Sequence, residues 1–179
     1  MNDWCDEVLN FWFEELDSSA WFRKDERVDA MIRERFLPLY ERVSQPGGVE
    51  LGDARSHLAA VLVLDQMPRN MFRGSPLAFT QDARALAIAQ QAIAAGLDVQ
   101  LERQQRFFLY MPFQHSEDPA IQTRSLELFA ALGDAQGLDY ARQHQEIIAR
   151  FGRFPHRNAV LSRESTSEER RFMETHPGF

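Results

Sequence analysis

The chain has 179 residues, 44% of them hydrophobic, and a formal charge of −7, which suits one compact domain with a sizeable core and disfavours nucleic acid as a partner, since the long-range field is repulsive and no extended basic stripe interrupts it. Cys5 is the sole cysteine, a small apolar residue in the first predicted helix, so an internal disulfide and a thiolate metal cluster are excluded and a reducing compartment fits. The longest apolar run, LAAVLVL at 58–64, is far short of the ~20 residues that span a bilayer, and MNDWCDEVL does not resemble a secretory leader, so the expectation is a soluble, cytoplasmic, single helical domain over 1–179 with no membrane contact.

Apolar residues recur at helical spacing almost throughout, and no sustained period-2 run bounded by turn residues argues for a strand; the predicted class is all-α. A first helix is expected over 3–16, with Trp4, Val8, Phe11, Trp12 and Leu16 on one face. A second covers 25–43, where Pro38 should kink it or split its last turn, and QPGG at 45–48 stops it. Asp53 caps a third helix that ends at Met67, because Pro68 disfavours helical geometry in the residue before it; RNMFRGSP, 69–76, then reads as a loop. Thr80 is placed to cap a fourth helix over 81–95, with Gly96 just past its end. A fifth runs from Val99 to Met111 and stops at Pro112. Asp118 and Pro119 supply an N-cap and a first-turn proline for a sixth. The seventh covers 137–151 and closes at Gly152, a short helix follows near 156–162, and Thr166 with Glu169 forms a capping box for a last helix to Thr175. Short loops imply antiparallel neighbours. Helix pairs recur every ~35–40 residues without shared signature residues, so a helical-hairpin superhelix and a compact bundle of about 8–9 helices both fit.

Charge is distributed unevenly: residues 69–115 carry +2 and 150–163 carry +4, set between acidic stretches. The basic residues are nineteen arginines and Lys24, and arginine offers a planar fork that fits carboxylate or phosphate. Three polar segments lie at helix ends. The first, DQMPRNMFRG, holds Asp65, Gln66, Arg69, Asn70 and Arg73; its arginines either tie down helix-end carbonyls and Asp65 or present donors to a ligand. The second, HSEDP, sets His115 and Glu117 before a helix N-terminus, where backbone N–H groups favour an anion. That pair suits a general base and its orienter, or two metal ligands, too few to define a zinc site; capping and local salt bridging are the plain alternative. The third, RFGRFPHRN, has Phe151 and Phe154 as anchors of a Gly-mediated reversal that exposes Arg153, His156, Arg157 and Asn158. These form either an arginine clamp for a carboxylate or phosphate or internal pairs with Asp65, Glu117 or Glu164. His57 and His144 fall within helices and read as structural, and Ser116 lacks a nucleophile-elbow context.

The segments LDQMPRNMFRG, RFFLYMPFQHSED and RFGRFPHRNAVLSRES, with FWF and WFRKD before them, resemble the bacterial family known as domain of unknown function 924 over essentially the whole chain. The resemblance implies an all-α fold similar to tetratricopeptide-repeat superhelices and brings no reaction with it. The family's motif residues that fall here are Asp65, Gln66, Pro68, Arg69, Asn70, Arg73, His115, Ser116, Glu117, Arg153, Phe154, Pro155, His156, Arg157, Asn158 and Glu164; the ending METHPGF departs from the family's longer proline, glycine and serine ending. The three segments are expected to converge on one mixed-charge pocket. Its occupant is a small anionic molecule or an acidic peptide, with no cofactor or metal. A small hydrolase or transferase using His115 with Glu117, or His156, as acid or base is the alternative, and a structural role the third.

Overall fold

A computed structural model describes residues 3–176 and 178. Among these the architecture is all-helical, as the periodicity predicts, and the residues group into two compact units: those up to Arg73 with Leu77–Pro112, and Gly74–Pro76 with those from Phe113 on.

In the first unit α1 (Asp3–Asn10) runs into a π-helical turn, Phe11–Glu15, closed by the Leu16 N–H on the Phe11 carbonyl at 2.9 Å. α2 (Glu26–Val43) starts at the cap Asp25 and passes Pro38 without splitting. Proline costs this helix the hydrogen bond to the Glu34 carbonyl. Glu34 and Pro38 both face solvent while Ile32, Phe36, Tyr40 and Val43 are buried, so water can serve that carbonyl. α3 (Ala54–Val61) begins with the expected Asp53 cap, in a capping box with Ser56.

The predicted stop at Met67 does not occur. A π-helical turn, Leu62–Gln66, carries the chain into α4 (Met67–Met71), with the Met67 N–H on the Leu62 carbonyl. The wider turn shifts the bonding register ahead of Pro68, whose missing N–H then falls in the first turn of α4. α5 (Asp82–Ala94) is not capped by Thr80, whose hydroxyl instead donates to the Leu77 carbonyl at 3.1 Å; Gly96, at φ +65°, follows its end as predicted. α6 (Arg103–Gln114) starts later than Val99, after a 3₁₀ turn over Asp98–Gln100, and continues through Pro112; the boundary between the units falls within it. α2 contacts α4, α3 contacts α5 and α1 contacts α3.

In the second unit α7 (Pro119–Leu132) and α8 (Ala135–Phe151) form a helical hairpin joined by Gly133 and Asp134. Asp118 accepts from the Ala120 N–H at 2.7 Å, Gly133 takes φ +68°, and Asp134 accepts from the Gly137 N–H at 2.8 Å. Gly152 ends α8 at φ +69°. The helix expected near 156–162 is instead a 3₁₀ turn, Pro155–Arg157, followed by further turns. The capping box of Thr166 and Glu169 opens α9 (Ser167–Met173). Ile147, Ile148 and Phe154 form the local core, with Phe151 and Phe172 against it. Of METHPGF, Pro177 and Phe179 lie outside the described residues. Among the described residues no helix is long and apolar enough to cross a membrane.

Candidate functional site

The first polar segment belongs to the first unit, and its side chains bond to that unit's own groups. Asp65 is fully buried on the π-helical turn; its carboxylate accepts from Gln66 Nε2 at 2.6 Å and lies 3.4 Å from Arg69 Nη1. Arg69 also donates to the Asp65 carbonyl and forks onto both oxygens of Asp82, each at 3.1 Å. Burial alone would lower the Arg69 pKa, but the charges of Asp65 and Asp82 outweigh it and raise it. Asn70 donates to Asp29 at 2.8 Å, and Arg73 forks onto the same carboxylate at 2.6 and 2.8 Å. These contacts fasten α4 to the start of α5 and to α2.

The second and third segments meet in the other unit, and Glu117 joins them. Its carboxylate accepts from the Phe154 N–H at 2.8 Å and from the Arg163 fork at 2.8 and 3.0 Å. Burial would raise the Glu117 pKa; the hydrogen bonds from Arg163 and the Phe154 N–H, with the charges of Arg163 and Arg157, hold it below the ordinary carboxylate value. Arg163 extends the tie by donating to the Phe154 carbonyl at 3.1 Å and to Asn158 Oδ1 at 3.0 Å, and Asn158 donates onward to Ser165 Oγ at 3.1 Å. Arg153 binds Glu169 at 2.7 and 2.9 Å and the Glu164 carbonyl at 2.7 Å, locking the reversal to α9. Glu117, Arg153 and Asn158 therefore build the frame of this region.

Inside that frame His144, His156 and Arg157 gather around Phe154, and His115 lies beside His144. The Arg157 guanidinium lies 4.7 Å from the centre of the Phe154 ring, the His156 ring 5.6 Å from it and the His144 ring 5.5 Å, edge-on. His115 stands 6.4 Å from His144, ring to ring. His144 and Arg157 are buried; His115 and His156 are half-buried. His144 Nδ1 lies 2.7 Å from the Tyr140 carbonyl, which can only accept, so Nδ1 carries the proton. Burial pushes its pKa down to about 3; the Tyr140 hydrogen bond opposes this, and the nearby His115, Arg157 and His156 add to it.

His144, read from the sequence as structural, and Arg163 were not among the candidate site residues. His144 occupies a buried position of the α8 stripe, where a histidine looks structural. Arg163 lies ten residues past Arg153, and only the fold shows that it returns to Glu117. Among the described residues no three His, Cys, Asp or Glu side chains are grouped as a metal site would need.

No curated protein matches the chain. A solved structure of a protein of unknown function from Agrobacterium tumefaciens is 35% identical, with a TM-score of 0.85, and the match covers 96% of this chain and 97% of that one. Residues 8–177 match the family described as "Bacterial protein of unknown function (DUF924)", a span that includes every site residue above, and the chain belongs to that family.

Proposed function

We propose that the unit from Phe113 on binds an anion, the carboxylate or phosphate of a small molecule or of an acidic peptide, through His115, His156 and Arg157. One observation carries this reading: two imidazoles, His144 and His156, and the Arg157 guanidinium converge on Phe154 with His115 beside His144, while the carboxylates of Glu117 and Glu169 are engaged by Arg163 and Arg153. Local charge is thus weighted toward donors. Binding is favoured over turnover because Glu117, the natural partner of His115 in acid–base work, is held ionised in a three-bond tie and makes a weak base.

A thermal-shift screen against inorganic phosphate, phosphorylated metabolites, carboxylates and acidic peptides tests the proposal. A ligand at 100 times its Kd adds about 2.7 kcal/mol of stability. His115→Gln, His156→Gln and Arg157→Lys should each reduce the shift, Arg157→Lys because it keeps the charge but loses the fork. Arg73→Ala, in the other unit, should retain it. Hits that survive all three site substitutions, or no anionic hit at all, would reject the proposal.

A further inference from the structure

Phe22, in the WFRKD stretch that leads into α2, keeps 65% of its surface exposed. The fold nevertheless holds this stretch in a fixed shape. Asp17 caps a 3₁₀ turn over Ser18–Ala20, Trp21 Nε1 donates to the Trp12 carbonyl at 3.0 Å, and Asp25 caps α2. The Phe22 ring lies 6.1 Å from the Phe108 ring with the planes 12° apart, and 6.2 Å from the Phe107 ring. Phe108 is fully buried and also carries Phe13 at 5.7 Å and Trp21 at 4.9 Å. Phe13, Trp21 and Phe107 are only half-buried, so these rings and Phe22 reach the surface of the first unit together. Basic side chains stand beside them. Arg23 and Lys24 follow Phe22, and Arg103 is one helical turn before Phe107; all three are exposed. Arg23 meets Asp25 only at 3.5 Å, with 62% of its side chain exposed. Of the acids within 12–25 and 102–107, Asp17 and Asp25 accept backbone N–H groups as caps and Glu15 accepts from Arg35. That sets Glu14 and Glu102 against Arg23, Lys24, Arg103 and Arg106.

We infer that this aromatic surface docks a segment of a partner protein that carries an aromatic or branched apolar side chain with carboxylates beside it. The rings are ordered before the partner arrives, so docking loses little conformational entropy, and an exposed apolar patch with a polar rim is the usual mark of such an interface. The basic rim selects the acidic segment. A second copy of the chain fits less well, because a two-fold contact sets the same basic rim against itself. Nucleic acid and anionic bilayers are opposed by the net charge of −7. The inference is independent of the anion-binding reading, which concerns the other unit.

Fluorescence polarisation on the full chain tests it, using short labelled peptides that place Phe or Leu between Asp and Glu residues. Matched peptides carry Ala at the apolar position, or Asn and Gln at the acidic ones, and both sets should bind more weakly. Phe22→Ala should weaken binding of the Phe and Leu peptides about ten-fold. Arg23→Gln combined with Lys24→Gln should weaken it about three-fold and flatten its salt dependence. Both variants change exposed side chains, and circular dichroism should show both folded as the parent is. Absence of peptide binding, or equal binding of the Ala-substituted peptides, overturns the inference. Binding that survives Phe22→Ala also overturns it, because the acidic peptide then sits elsewhere, as at the anion site of the other unit. Sedimentation of the parent with phosphatidylcholine–phosphatidylglycerol vesicles, and alone at rising concentration, reads the other occupants. Vesicle binding or self-association that Phe22→Ala abolishes, with no peptide binding, overturns the inference in favour of a bilayer or a second copy.

Discussion

Arg69 and Arg73 stand four residues apart in one polar run, yet their loss exposes different things. Arg69 balances Asp65, which is fully buried, and removing it leaves that carboxylate with Gln66 as its short side-chain partner. Arg73 is about a third exposed and pairs with Asp29, which also has Asn70. Arg69→Ala should therefore cost about 3–5 kcal/mol, the penalty for stranding a buried charge, and Arg73→Ala about 0–1 kcal/mol. Urea denaturation measures both, and equal losses would contradict this assignment. The sequence showed these residues as candidate anion ligands or internal staples without choosing between them. The choice depends on Asp29 and Asp82, which lie 41 residues before Asn70 and 13 after Arg69.

At the level of elements, most side-chain caps and the glycine stops were legible and the proline stops were not. Asp53, Asp118 and Thr166 cap as predicted because a cap is satisfied within three residues of itself. Pro68 and Pro112 did not stop their helices, and Pro38 did not split its own, because whether a helix survives a proline depends on what surrounds the orphaned carbonyl, and at Pro68 on a π-helical turn that residue order does not announce. The same contrast runs through the site. HSE and FPHRN were visible as polar clusters beside turn residues, but their union through Glu117 and Arg163 spans 46 residues and needed the fold. That union predicts a specific weakness. Glu117→Gln keeps one acceptor and loses the ionised one, so it should cost about 1–3 kcal/mol and accelerate exchange of the Phe154 amide, which donates to this carboxylate. Asp118→Ala next door should cost about 1 kcal/mol through the lost cap and leave the Phe154 amide protected. Equal Phe154 protection in the two variants would show that Glu117 is no tie.

At the scale of the whole molecule, two groups of the second unit, His144 and Glu169, titrate far below their ordinary values, and this shapes the response to acid. His144 has a pKa of about 3 when folded against 6.5 when not, so between those values the unfolded chain holds the extra proton and stability falls as pH falls, by up to about 1.4 kcal/mol per pH unit for this one proton. Glu169, bound by Arg153, titrates at about 2 instead of 4.5, so its contribution is complete above 4.5 and lost as pH drops toward 2. In the first unit the carboxylates of Asp29 and Asp53 are also held below their usual 3.8. Burial works against this at Asp29, where the Arg73 and Asn70 hydrogen bonds outweigh it, and at Asp53 the hydrogen bonds with Ser56 lower it; their losses begin only below that value. The second unit should therefore loosen first. On lowering pH from 6.5 toward 4.5, protection factors at Ile147 and Ile148 in α8 should fall while those at Ile32 in α2 and Leu58 in α3 hold. His144→Gln should flatten the loss across that range, and Glu169→Gln should alter only the limb below 4.5. An α8 that keeps its pH dependence after His144→Gln would mean that His144 does not take up its proton in that window, and the acid response would have to be assigned to the histidines that surround it, His115 and His156.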